Sequence, residues 1–208
     1  MLNNDLLKKI DWKKTDGLIP CIIQNFFSSE ILMHGYMNEE ALYETQKKKM
    51  VVFYSRTKKR LWKKGEQSGN FLNVLNIILD CDRDSLLILV HPIRNTCHLN
   101  NNSCFNGIKT TYTDFFYLEQ YIKNKKNINC VNSYTATLHS TGIHRIVQKL
   151  GEEVIEVVIA ALNKNKKDII NESSDLIYHF LVLLHNQNID FHDIICNLKL
   201  RNKNKEIQ

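Results

Sequence analysis

The sequence predicts an α+β protein in which a β-rich half is followed by an all-α half. Up to about residue 112, short apolar and β-branched runs recur between turn residues; beyond it, the segments have helical length and spacing. With 208 residues and 43% hydrophobic content, the chain can bury one good core or two small ones. No internal repeat interrupts this two-part pattern.

In the first half, Leu18 to Phe26, Ile31 to Met37, Val51 to Ser55, Phe71 to Leu79 and Ser85 to Val90 read as strands. One helix is expected from Asn38, whose side chain suits an N-cap, through Lys48. In the second half, helices are expected near 113–124, 142–163, 167–186 and 190–201. The lysine- and asparagine-rich segment Lys123 to Asn129 reads as the linker, with the change of character spread over about 112–130. The expected domains are therefore 1–113 and 114–208.

No apolar run approaches the roughly 20 residues of a membrane span, and Met1-Leu2-Asn3-Asn4-Asp5 has no apolar signal region, so a cytoplasmic protein is expected. In that compartment the six cysteines read as thiols or metal ligands rather than disulfides; Cys21, Cys130 and Cys196 sit among apolar or neutral neighbours and read as structural or incidental. The net charge of +6 raises the question of nucleic acid, but the lysines at 47–49, 58–59, 63–64, 123–126 and 164–167 are dispersed. A moderately basic chain also suits a small polyphosphorylated substrate, whose encounter rate rises with positive potential. Neither nucleic acid nor a membrane is expected as a partner.

Two groups of residues carry chemistry. Asp80-Cys81-Asp82-Arg83-Asp84 places a thiol between carboxylates, and Cys97-His98 and Cys104 follow. Thiolates suit zinc and carboxylates suit magnesium or calcium, so the segment offers both kinds of ligand. If the strand ending at Leu79 continues, Asp80, Asp82 and Asp84 fall on one face and Cys81 on the other. In the helical half, Glu152, Glu153 and Glu156 fall within about a third of a turn, and Glu172 and Asp175 are three residues apart. Both sets lie on strongly apolar helices. Two such sets on antiparallel neighbours would converge on a magnesium ion and would repel one another strongly without it.

Longer motifs carry a family resemblance. Residues from about 18 to 110 resemble phosphoribosyl-AMP cyclohydrolase, through Leu32-Met33-x-Gly35-Tyr36-Met37-Asn38-x-Glu40-Ala41-Leu42, then Ser55-Arg56-Thr57-Lys58-x-Arg60-Leu61-Trp62-x-Lys64-Gly65-Glu66-x-Ser68-Gly69, Asp80-Cys81-Asp82, Cys97-His98 and Ser103-Cys104-Phe105. Residues from about 133 to 201 resemble phosphoribosyl-ATP pyrophosphohydrolase, an all-α, MazG-like helical bundle. The match runs through Ser133-Tyr134-Thr135-Ala136, Arg145-Ile146-x-Gln148-Lys149-x-Gly151-Glu152-Glu153-x-x-Glu156 and Glu172-x-Ser174-Asp175-Leu176-x-Tyr178-His179. Their order matches the bifunctional family of histidine biosynthesis.

The resemblance implies two consecutive hydrolyses. The C-terminal domain would release pyrophosphate from phosphoribosyl-ATP, with magnesium held by Glu153, Glu156, Glu172 and Asp175, Glu152 assisting or activating water, and Lys149 binding substrate. The N-terminal domain would open the adenine ring of phosphoribosyl-AMP between N1 and C6, using zinc held by Cys81, Cys97 and Cys104 to activate water. His98 would transfer protons, since imidazole titrates near neutral pH. Asp80, Asp82 and Asp84 resemble the family's magnesium ligands. Arg56, Arg60, Trp62, Lys64, Gly65, Ser68 and Gly69, with Lys63 beside them, suit a phosphoribosyl-purine by combining charge, a stacking aromatic and a glycine-containing loop. The family is a homodimer with zinc ligands from both subunits, so Cys81 of one chain is expected to meet Cys97 and Cys104 of the other.

The chain departs from the family pattern in places. Arg94 and Asn95 stand where Gly-Pro is usual, Asn100 where a glycine is usual, and His144 where an acidic or small residue is usual. Asn tolerates left-handed backbone angles, so Asn100 is expected to replace that glycine; Arg94 has no such rationale. Two rival classes remain at this point: a structural zinc module binding nucleic acid, and a nucleotide-cleansing pyrophosphohydrolase whose N-terminal half only binds.

Overall fold

A computed structural model describes residues 4–105, 110–126 and 133–205 and divides the chain into two compact units, Met1–Asp114 and Phe115–Gln208. The first unit contains α1 (Asn4–Lys9), β1 (Ile19–Asn25), β2 (Ile31–Met37), α2 (Glu39–Lys48), β3 (Val52–Ser55), β4 (Arg60–Lys63), β5 (Leu72–Leu79) and β6 (Leu86–Pro92). From α3 (Thr111–Lys125) onward the chain is helical, through α4 (Tyr134–Ser140), α5 (Ile143–Leu162), α6 (Lys166–Asn186) and α7 (Phe191–Lys205). The α+β character is thus as expected.

Four strands form a sheet in the order β2-β1-β6-β5, and β3 and β4 form a separate hairpin. Alternation shows why β1 is a strand: Ile19, Cys21, Ile23 and Asn25 point into the core and the residues between them do not. β1 pairs antiparallel with β2 but parallel with β6, aligning Ile23 with Ile88 and Asn25 with Val90. The ends of β1 and β6 that follow these residues therefore lie side by side. Ile19, Ile23, Leu32, Met37, Leu42, Phe53, Leu72, Leu86 and Ile88 fill the core. Each such side chain contributes roughly 1.5–3 kcal/mol by leaving water. Gly35 is required here, because a Cβ on it would stand 2.4 Å from the Phe53 ring.

Local signals fix the helices. The Asn38 side chain accepts the Ala41 N–H at 2.8 Å and caps α2 as expected, while Glu39, Glu40, Lys47 and Lys48 complement its dipole. In the second unit, α5 and α6 pack along most of their length, and Ile122, Leu138, Ile146, Leu181, Val182 and Leu184 form its core.

Two expectations change. The lysine-rich segment read as a linker starts inside α3 and is tied down: Lys123 pairs with Asp190 at 2.6 Å, and Lys126 Nζ donates to the carbonyls of His185 and Asn186 at 2.9 and 3.1 Å. Its residues beyond 126, and Cys130, lie outside the described residues. The strand before Asp80 also does not continue. It ends at Leu79, and Asp80 Oδ1 accepts the backbone N–H groups of Asp84 and Ser85 at 2.9 and 3.0 Å. A carboxylate that satisfies two backbone donors holds a tight turn more strongly than alternation holds a strand. Arg83, at φ 66°, completes the reversal.

Candidate active sites

In the first unit, the loop after β6 carries the thiols. Ser103 Oγ donates to the Ile31 carbonyl at 2.7 Å and the Cys104 N–H to the Leu32 carbonyl at 2.7 Å, which pins the loop to the start of β2. Within the loop the Cys97 N–H donates to the Asn101 carbonyl at 2.9 Å, and Asn100 adopts the left-handed conformation at φ 63°. Asn100 therefore takes the backbone shape expected of it, and Asn95 Nδ2 braces it by donating to its carbonyl at 2.7 Å. Cys97 is buried and Cys104 exposed. The Cys104 thiol is pushed up by partial burial and by the neighbouring Cys97. His98 Nδ1 lies 4.0 Å from Cys97 Sγ.

Lys64 is a cation that interacts electrostatically with this thiol pair. It is buried, which pushes its ammonium down, while the thiols of Cys104 and Cys97 push it back up. Gly65 sets its position: at φ +93° a Cβ there would meet the Asn70 backbone at 2.7 Å. Gly69 also has positive φ but borders open space, and Ser68 Oγ accepts the Asn70 N–H at 3.3 Å, so both shape the turn.

The structure gathers the other basic residues only in part. Trp62 stacks on Phe53 with ring centres 5.6 Å apart, and Arg56 lies over the Tyr36 ring at 3.8 Å. Arg60 binds Glu66 at 2.8 Å, a partner the sequence reading gave no role. Ser55, Lys58, Arg60, Trp62, Glu66 and Gln67 line a cavity of about 240 Å³. A larger cavity of about 600 Å³, bordered by Trp12, Tyr43 and the start of α2, contains none of the expected site residues.

Asp80, Asp82 and Asp84 do converge, with one oxygen from each within 4.8 Å of the others. The turn, rather than strand alternation, brings them together. Lys14 bridges Asp82 and Asp84, and the Asp82 carboxyl is held below its ordinary value first by that hydrogen bond. Nothing in the sequence pattern singled out Lys14. Cys81 is exposed in the same turn and is not grouped with Cys97 and Cys104.

In the second unit, Glu153 and Glu156 on α5 meet Glu172 on α6, again within 4.8 Å. Glu156 is raised above the usual carboxylate range, first by the charge of Glu153, then by burial and Glu172. Asp175 is exposed one turn along α6 and does not join the three. Lys149 Nζ lies 2.9 Å from Glu152 and 3.2 Å from Glu153. Gln148 Nε2 adds 2.9 Å to Glu152, whose carboxyl is lowered chiefly by the Lys149 hydrogen bond. His144 is exposed on the first turn of α5.

Residues 33–106 match the family model for phosphoribosyl-AMP cyclohydrolase and residues 116–202 that for phosphoribosyl-ATP pyrophosphohydrolase. The chain is 56% identical to the histidine biosynthesis bifunctional protein HisIE of Buchnera aphidicola subsp. Schizaphis graminum, over 96% of each chain. It is 50% identical to the protein of that name from Haemophilus influenzae, over 95% of this chain and 94% of the relative. The chain belongs to this bifunctional family of histidine biosynthesis. The family accounts for two separate ligand-rich regions in one chain. The cyclohydrolase match covers the thiol loop, the aspartate turn and the Lys64 turn; the pyrophosphohydrolase match covers the α5–α6 carboxylates. Among the described residues, no helix is long and apolar enough to cross a membrane.

Proposed function

We propose that the chain catalyses both hydrolyses of its family, with residues 114–208 converting phosphoribosyl-ATP to phosphoribosyl-AMP and pyrophosphate, and residues 1–113 opening the adenine ring of that product. The observation that carries this reading is that each unit holds its own convergent ligand set. In one, Cys97 and Cys104 meet beside Lys64; in the other, Glu153, Glu156 and Glu172 meet between two helices.

The donor sets fit the cations the family implies. A thiol pair suits zinc, with Cys81 of a second copy supplying the third sulfur in a homodimer. Three carboxylates whose mutual repulsion raises Glu156 suit a hard divalent cation, magnesium, and Asp80, Asp82 and Asp84 form a second such set. When bound, zinc would lower the pKa of the attacking water and magnesium would neutralise phosphate charge.

The chain's own groups do the rest. His98 takes a proton from the attacking water and returns it to N1 as the C6–N1 bond breaks. Arg56, Arg60 and Lys64 attract the phosphoribosyl group, and Trp62, which lines the cavity beside Arg60, offers its ring to the base. In the second unit Lys149, with Asp175 bordering the cluster, orients the phosphate end, and the ionised Glu152 activates water. The reactions take place in the cytoplasm, without nucleic acid or membrane.

Purified full-length protein should release pyrophosphate from phosphoribosyl-ATP and then form the ring-opened ribotide. Pyrophosphate release with no ring opening, even when phosphoribosyl-AMP is supplied directly, would overturn the reading of the first unit.

A further inference from the structure

Behind the α5–α6 carboxylates stands an imidazole to which no role has been given. His179 and Glu153 are each 5% exposed. His179 Nδ1 lies 2.9 Å from the Asp175 carbonyl and 3.7 Å from Glu153 Oε1. A carbonyl can only accept, so Nδ1 carries a proton whatever the charge of the ring. On the far side, Nε2 lies 3.0 Å from the Tyr134 hydroxyl. The ring is thus fixed by the backbone of its own helix and by α4. Lys149 Nζ approaches the same Glu153 oxygen, Oε1, at 3.2 Å. The Lys149 ammonium and the His179 N–H edge both lie on one oxygen, which leaves the second oxygen as the one open to a cation.

We propose that His179 is a positioning residue: its Nδ1–H, together with Lys149, turns the Glu153 carboxylate so that its second oxygen faces Glu156 and Glu172. This rests on the magnesium reading above and adds to it. At 3.7 Å the contact is longer than a hydrogen bond, so it acts as an oriented dipole on a buried charge, where weak screening makes such a dipole effective. Partners that orient a metal's ligands typically cost about 10–100-fold in metal affinity when removed. Tyr134 holds the opposite edge of the ring, at Nε2.

Two substitutions separate the ring's two edges. The amide nitrogen of Asn falls where Nδ1 was, whereas that of Gln falls where Nε2 was. Magnesium binding to the full chain is measured by calorimetric titration without substrate, and pyrophosphate release from phosphoribosyl-ATP is followed across the same magnesium range; the two readouts should shift together. His179→Asn should half-activate within about threefold of the unaltered protein, and His179→Gln at about tenfold or more magnesium, at matched melting temperatures. Equal magnesium dependence in the two variants, whether raised or not, would overturn the proposal. Tyr134→Phe, a conservative change at an exposed residue, should stay within about twofold; a rise matching that of His179→Gln would overturn it too. Glu156→Gln distinguishes the layers. Undiminished hydrolysis in that variant removes the magnesium reading itself, whereas its loss alongside an unmoved His179→Gln removes only the role of His179.

Discussion

Cys81 and Cys97 lie at opposite ends of β6, the first in the turn that leads into Leu86 and the second in the loop that follows Pro92. Seven residues of strand at about 3.3 Å each span roughly 20 Å. One chain therefore keeps Cys81 apart from the Cys97–Cys104 pair, and the proposed homodimer would bring a second copy's Cys81 to that pair. Neither Cys81→Ser nor Cys97→Ser homodimers can then assemble three thiolates. A mixed dimer of the two has one doubly damaged interface and one intact one, so subunit exchange should restore up to about half of the ring-opening activity, following from two-fold symmetry. A verified heterodimer with no recovery would show that the site is not split.

Cys97→Ser should abolish ring opening and leave pyrophosphate release largely intact, because its thiol belongs to the first unit alone. Zinc content measured alongside both activities checks this. Full ring opening at unchanged zinc would remove Cys97 from the ligand set.

Glu156→Gln should do the reverse: pyrophosphate release collapses while supplied phosphoribosyl-AMP is still converted. The variant also has a pH signature. Because Glu153, burial and Glu172 hold Glu156 above its ordinary value, its protonation favours the folded state. In chelator, lowering the pH from about 7 toward the folded-state titration should therefore raise the melting temperature relative to Glu156→Gln, and that gain should be lost again as the pH rises. Magnesium at neutral pH should supply the same relief. Identical pH profiles for the two proteins would contradict this account.

Asn100→Gly should preserve the thiol loop, since glycine takes φ 63° freely, whereas Asn100→Ala should cost about 1–2 kcal/mol. Zinc retention and melting temperature in the two variants read the difference directly.

Gly35→Ala forces a methyl group to within 2.4 Å of Phe53 in a filled core. Overpacking of this kind should destabilise the first unit by about 1–3 kcal/mol, measured by denaturant unfolding. The α5–α6 unit should unfold as before.

The sequence made long apolar elements legible and short or polar ones obscure. Alternation in Ile19–Asn25 and the Asn38 cap identified β1 and α2. β4 is obscure because charged Arg60 and Lys63 bracket only two apolar residues; its strand character comes from pairing with β3, which aligns Trp62 with Phe53. α4 spans seven residues, too few for a periodic signal. The aspartates were recognisable as a set, yet their convergence came from an unforeseen turn. The strand between Cys81 and Cys97 is legible from Ser85 to Val90, whereas the pairing of β6 with β1 and β5 is information that no local pattern contains.

Asp80 is both a proposed ligand and the anchor of its own loop, through the Asp84 and Ser85 amides. The two demands tolerate different replacements. Asn can accept the same amides without the charge, whereas Ala, Val or Leu cannot hold the turn at all. In a histidine auxotroph complemented by a library at this codon, Asn clones should accumulate normal amounts of protein and still fail to grow. Apolar clones should fail through scarcity. Growth alone would score the two alike, and protein abundance would tell apart the loss of a charge from the loss of a loop.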